Sequence, residues 1–161
     1  MATPQMTPTQ APPAKAVTLQ PIVFATDFSP ASKGALGKAI ELARKEGAEM
    51  IVAHVYEPPA SLSHSGVADD VIEAELEATI RKDVEKQLEP VLAAVRAAGV
   101  KVRGEILAGH AAKELALLAD RNNAAMVVIG THGRTGIKKL VMGSVASQVI
   151  ATAPCPVLTV H

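Results

Sequence analysis

From residue 21 onward, short apolar runs alternate with longer segments whose apolar residues recur at helical spacing. Ile22-Val23-Phe24-Ala25 reads as a buried strand, and Thr26-Asp27-Phe28 as the turn after it. Ser29-Pro30 then opens a helix: serine can cap the unpaired N–H groups, and proline suits the first helical position. Ala35, Leu36, Ala39, Ile40 and Ala43 carry that helix to Gly47. Met50 to Tyr56 predicts a second strand, closed by Pro58-Pro59. Between Asp69 and Ala98, Val71, Leu76, Ile80, Val84, Leu88, Leu92 and Val95 form the apolar stripe of a long helix. Pro90 lies inside it and predicts a kink or break near Gln87. Val100 to Leu107 reads as a third strand, Ala111 to Asp120 as a helix, and Met126 to Ile129 as the most apolar strand. A short helix from Ser144 to Thr152, with Ser144 as its cap, precedes a last strand at Pro156 to Val160. Uninterrupted apolar strands alternating with helices predict an α/β fold, an open parallel sheet covered by helices on both faces.

Residues 1–20 break the pattern. Pro4, Pro8, Pro12 and Pro13 stand among Thr, Gln and Ala, and Lys15 is the sole charge. This composition predicts a flexible tail rather than a helix, a strand or a targeting peptide. Residues 21–161 are then one domain. Charge adds an exclusion: 16 Lys and Arg balance 16 Asp and Glu. A zero net charge gives no whole-protein grip on nucleic acid or anionic lipid. The three aromatic residues, Phe24, Phe28 and Tyr56, are too few for base-stacking platforms. No apolar run is long enough for a membrane helix. The lone Cys155 fits a reducing compartment, so a cytoplasmic location is expected.

The segment with the most chemistry runs from Gly130 to Ser144. It leaves the end of the most apolar strand and enters a helix. In open α/β sheets ligands bind at the carboxyl ends of strands. Glycines let backbone N–H groups approach an anion, and a helix N-terminus favours phosphate. Thr131, Thr135 and Ser144 supply hydroxyls, and Arg134, Lys138 and Lys139 supply positive charge. His132 is either a phosphate contact or a solvated loop residue. Two common phosphate loops are excluded: Gly104 and Gly109 have the P-loop spacing but are followed by His110-Ala111, and G-x-G-x-x-G is absent.

The spacing Gly130, two residues, Gly133, nine residues, Gly143-Ser144 resembles the nucleotide-binding universal stress proteins. Thr26-Asp27-Phe28-Ser29, His54-Val55 and Ala153-Pro154-Cys155-Pro156-Val157 extend the resemblance across residues 21–160. It implies a Rossmann-like five-stranded sheet of order 3-2-1-4-5 that binds ATP, with Mg²⁺ arriving on the phosphates. By the same resemblance Ala25, Thr26 and Asp27 line the adenosine side, and Val55 offers its backbone to adenine. Ile129, Gly130 and Gly133 begin the phosphate loop, with Thr131, His132, Arg134 and Met142 in it. Gly143, Ser144, Val145 and Ala146 close on the phosphates. A homodimer through Val157 to Val160 is also implied. Some binding members carry proline where this chain has Ala25.

No His/Cys/Asp/Glu spacing marks a protein metal site, and no G-x-S-x-G elbow marks a hydrolase. Asp27 serves as a turn residue, a ligand contact, or both. The leading expectation is an ATP-binding stress-response regulator. The alternative is a slow ATPase or autophosphorylating phosphotransferase that uses Asp27 and Mg²⁺.

Overall fold

The computed structural model describes residues 19–58, 67–131 and 142–161. Nine elements follow in order: β1 Ile22–Ala25, α1 Pro30–Glu46, β2 Met50–Tyr56, α2 Val67–Ala97, β3 Val102–Ala108, α3 Ala111–Arg121, β4 Met126–Gly130, α4 Ser144–Thr152 and β5 Val157–Val160. The strands form one sheet of order β3-β2-β1-β4-β5, and every pairing is parallel.

Alternation of side chains across the sheet creates two apolar layers. On one face Ile22, Phe24, Met50, Val52 and Val128 meet Ala35, Ala39 and Ala43 of α1 and Leu88, Leu92 and Val95 of α2. On the other, Val23, Ile51, Ala53, Val127 and Ile129 meet Ala112, Leu115 and Leu118 of α3 and Ala146 and Val149 of α4. Helices thus cover both faces. The chain winds outward from β1 in both directions, so the strand order reverses between β1 and β4. A crevice forms at that reversal.

The start of α1 matches the sequence pattern. Ser29 caps the helix by accepting from Ser32 N–H at 3.3 Å, and Pro30 is its first residue. Gly47 ends it in a left-handed conformation, φ 63°. Three departures from the sequence pattern have a physical reason. α2 runs unbroken through Pro90, because Leu88, Leu92 and Val95 lock its stripe to the core and Pro90 stands on the exposed side. β3 starts at Val102 rather than Val100, which is turned through Gly99 at φ 79°. The cap of α4 is Gly143, and Ser144 is the first helical residue. Residues 1–18, most of the expected tail, lie outside the described residues.

Candidate functional site

The β1–α1 turn is held by a compact polar network. Phe28 has a positive φ of 64°, uncommon for a residue with a side chain. Its N–H donates to Thr26 Oγ1 at 3.0 Å, and its ring stacks on His54 with centroids 4.5 Å apart. Ser29 N–H donates to Asp27 Oδ1 at 3.0 Å, so Asp27 forms an Asx turn that leads into the cap of α1. Thr26 Oγ1 also lies 3.1 Å from Ser32 Oγ, which donates to the Ser29 carbonyl at 2.8 Å. His54 Nδ1 is 2.8 Å from the Thr26 carbonyl. A carbonyl only accepts, so Nδ1 carries the proton.

Strand lengths set the next feature. β2 pairs with β1 only as far as Ala53↔Ala25, and it continues through His54, Val55 and Tyr56. Thr26 N–H donates to the Ala53 carbonyl at 2.9 Å, so the backbone groups of Ala53 face β1. Val55, two residues on, turns its N–H and C=O to the same side, beyond the end of β1. Tyr56 turns the other way, and its carbonyl accepts Gly109 N–H at 2.9 Å.

On the β4 side, Thr131 is buried at 2% exposure. Its N–H donates to the Val160 carbonyl at 2.9 Å, and its carbonyl accepts Gly143 N–H at 2.8 Å. The Thr131 hydroxyl lies 3.3 Å from the Val160 carbonyl and 2.9 Å from His161 Nδ1. That hydroxyl therefore braces β5, while Thr131 also lines the cleft described next. At α4, Ser144, Val145 and Ala146 are first-turn residues whose N–H groups have no partner within the helix.

These parts enclose a cleft of about 520 Å³ at the carboxyl ends of β1, β2 and β4, a size suited to a small-molecule ligand. Eleven residues named from the sequence line it: Ala25, Thr26, Asp27, Val55, Ile129, Gly130, Thr131, Gly143, Ser144, Val145 and Ala146. Met142 is 40% exposed and is not among the lining residues. His132, Gly133 and Arg134 lie outside the described residues. The sequence reading missed Ser32, Ala53, His54, Tyr56, Glu57, Ala111 and Leu115 as lining residues. A usable signal existed for several: Tyr56 ends an apolar strand and Glu57 follows it, and Ala111 opens a helix after another strand.

Two glycines fit the cleft tightly. A Cβ on Gly130 would stand 3.2–3.3 Å from backbone atoms of Ala31 and Ser32, and one on Gly143 would stand 3.2 Å from the Thr131 carbonyl oxygen. Among the described residues no group of three or more His, Cys, Asp or Glu is placed to hold a metal ion. No described helix is long and apolar enough to cross a membrane.

The universal stress protein family model matches residues 18–161, and the chain belongs to that family. It is 33% identical over 141 residues to universal stress protein MJ0531 of Methanocaldococcus jannaschii, covering 86% of this chain and 80% of the relative. It is 32% identical over 139 residues to universal stress protein A homolog 1 of Coxiella burnetii, covering 86% and 94%. Among solved structures, the protein MJ0577 superposes with a TM-score of 0.79 at 26% identity, covering 89% of this chain and 96% of the other. A universal stress protein in complex with cAMP gives 0.68 at 26% identity, covering 89% and 98%. One from Archaeoglobus fulgidus in complex with dAMP gives 0.64 at 26% identity, covering 90% and 100%.

Proposed function

We propose that this chain is an ATP-binding regulatory protein of the stress response, with the nucleotide seated in the cleft between β1, β2 and β4. The backbone of Val55 carries this reading. One N–H donor and one C=O acceptor on the same strand edge match N1 and the N6 amino group of adenine. Guanine presents a donor at N1 and an acceptor at position 6, which opposes both groups. The relatives bound to cAMP and dAMP hold adenine nucleotides and support the same base.

At the other end of the cleft, the first-turn N–H groups of α4 and the positive end of its dipole suit phosphate. The absence of a side chain at Gly143 keeps that end open. Gly133, His132 and Arg134 belong to the same loop in the sequence, and their glycine and cation content extends the reading from one phosphate to three. Asp27 contributes through its Asx turn, which aims the start of α1 at the cleft. Mg²⁺ would enter on the nucleotide phosphates and needs no protein cluster of its own.

Regulation is the leading reading because the Asp27 carboxylate has a structural task, accepting the Ser29 N–H that shapes the turn into α1. Mass spectrometry of small molecules released on denaturing the purified protein tests the proposal. An adenine nucleotide in near-stoichiometric amount is expected. Phosphate released from ATP above background would favour the hydrolytic alternative at Asp27.

A dimer through β5 belongs to the same proposal. β5 is a sheet edge and contains no charged residue, whereas the opposite edge strand β3 carries Arg103 and Glu105. Charged side chains protect an edge from pairing, and β5 lacks them. Antiparallel pairing of two β5 strands about a two-fold axis would remove both edges.

A further inference from the structure

The stripe that anchors α2 continues past the part of the domain it covers. Val84, Leu88, Leu92 and Val95 are buried at 0–8% exposure. Four residues before Val84, Ile80 is half-buried. Four and eight residues further back, Leu76 is 45% and Ile72 is 63% exposed. Ile72, Leu76 and Ile80 recur every four residues and form one stripe, which winds roughly 40° further round the helix with each step toward Val84. The helix begins at Val67. It therefore begins roughly 25 Å before Val84, at about 1.5 Å per residue.

This extension is attached to the domain. Tyr56 OH donates to Glu77 Oε1 at 2.8 Å, tying the helix to the end of β2. Burial first and the Glu77 carboxylate second raise the Tyr56 pKa above its ordinary value, which keeps the phenol protonated as a donor. The extension is also one-sided in charge. Residues 67–80 include Asp69, Asp70, Glu73, Glu75 and Glu77 and contain no Lys or Arg. From Arg81 onward the signs are mixed, with Arg81–Glu85 and Lys86–Asp83 ion pairs.

We propose that residues 72–80 of α2 dock a partner protein through a basic amphipathic helix. Ile72 and Leu76, beside Ile80, receive its apolar face, and Glu73 and Glu75 face its Lys or Arg residues. Helix-on-helix recognition uses anchors at this spacing. Charge complementarity decides the occupant. A second copy of the same surface would set two acidic rows against each other, which is unfavourable. An anionic lipid surface is repelled for the same reason. The surface does not depend on the nucleotide reading, and its test uses no nucleotide.

The probe is a fluorescein-labelled 18-residue helical peptide of Leu and Lys, titrated into the full chain at physiological ionic strength and followed by anisotropy. A Leu/Glu peptide of the same pattern is the control. Saturable binding of the Leu/Lys peptide alone is expected. Ile72→Ser with Leu76→Ser should weaken it at least tenfold with the melting temperature unchanged, since both side chains are already exposed. Glu73→Gln with Glu75→Gln should weaken it by a similar factor. Glu85→Gln with Glu89→Gln, lower on the same helix, should change it less than twofold. Equal weakening by the two glutamine pairs, unchanged affinity in the serine variant, or no binding to the wild type would each overturn the proposal. Loss of a wild-type dimer in the serine variant would assign the surface to a second copy and overturn it as well.

Discussion

The amide of Gly143 donates to the carbonyl of Thr131 at 2.8 Å, so the residue that follows β4 is bonded to the residue that precedes α4. The same contact sets the start of α4. With the Gly143 N–H committed to Thr131, the groups left to meet an anion are those of Ser144, Val145 and Ala146. Gly143 has an ordinary φ of −58°, so its need for glycine is one of space rather than backbone strain.

Gly143→Val tests that space. A Cβ already stands 3.2 Å from the Thr131 oxygen, and the two γ-methyls of valine add bulk at the mouth of α4. ATP affinity should fall at least tenfold, about 1.4 kcal/mol or more. Circular dichroism should show the helix and strand content retained. Equal calorimetric affinity in the variant would remove this loop as the phosphate site.

Gly130→Ala addresses packing instead. Its Cβ would press on the backbone of Ala31 and Ser32, where no flexible side chain can yield. Separating the start of α1 from the end of β4 should cost about 1–3 kcal/mol, in the range of other overpacked sites. Thermal unfolding should register a clear loss of melting temperature. An unchanged value would mean that α1 shifts freely against β4.

Base selectivity follows from Val55. ATP should bind at least tenfold more tightly than GTP, because the guanine edge leaves both backbone groups of Val55 opposed by like partners. Competition of the two nucleotides against a fluorescent ATP analogue measures the ratio. Equal affinities would transfer base recognition away from β2.

The edge of β5 has a directional test. The Pro156 and Val160 carbonyls face β4, accepting from Val127 and Thr131, so alternation turns the backbone of Thr159 outward. Thr159→Pro therefore removes an outward N–H and leaves the β4 ladder intact. Light scattering should report a wild-type dimer at micromolar concentration and a folded monomer for the variant. A dimer that persists in the variant would place the interface elsewhere.

Much of this was legible in the sequence where several residues in one segment agreed. Ser29-Pro30 and Gly47 bracket α1 as capping chemistry requires. The apolar runs of β1, β2 and β4 indicated strands buried on both faces. The sheet order came from the family resemblance, because pairing between distant strands leaves no local mark. Pro90 misled because proline's helix-breaking tendency is local, whereas the stripe on either side of it is held by the core. Ser144 misled because the Gly143–Thr131 bond starts the helix where no side-chain cap is needed. The far wall of the cleft at Leu115 was invisible for a different reason. Small and aliphatic residues on a helix signal packing alone until the sheet brings them beside a ligand site.

Isothermal titration calorimetry of the full chain, stripped of bound nucleotide, shows whether this cleft holds ATP. Saturable binding with one ATP per chain is expected, weakened at least tenfold by Gly143→Val and by exchange of ATP for GTP. No heat of binding at millimolar ATP, from protein that circular dichroism shows to be folded, would contradict it.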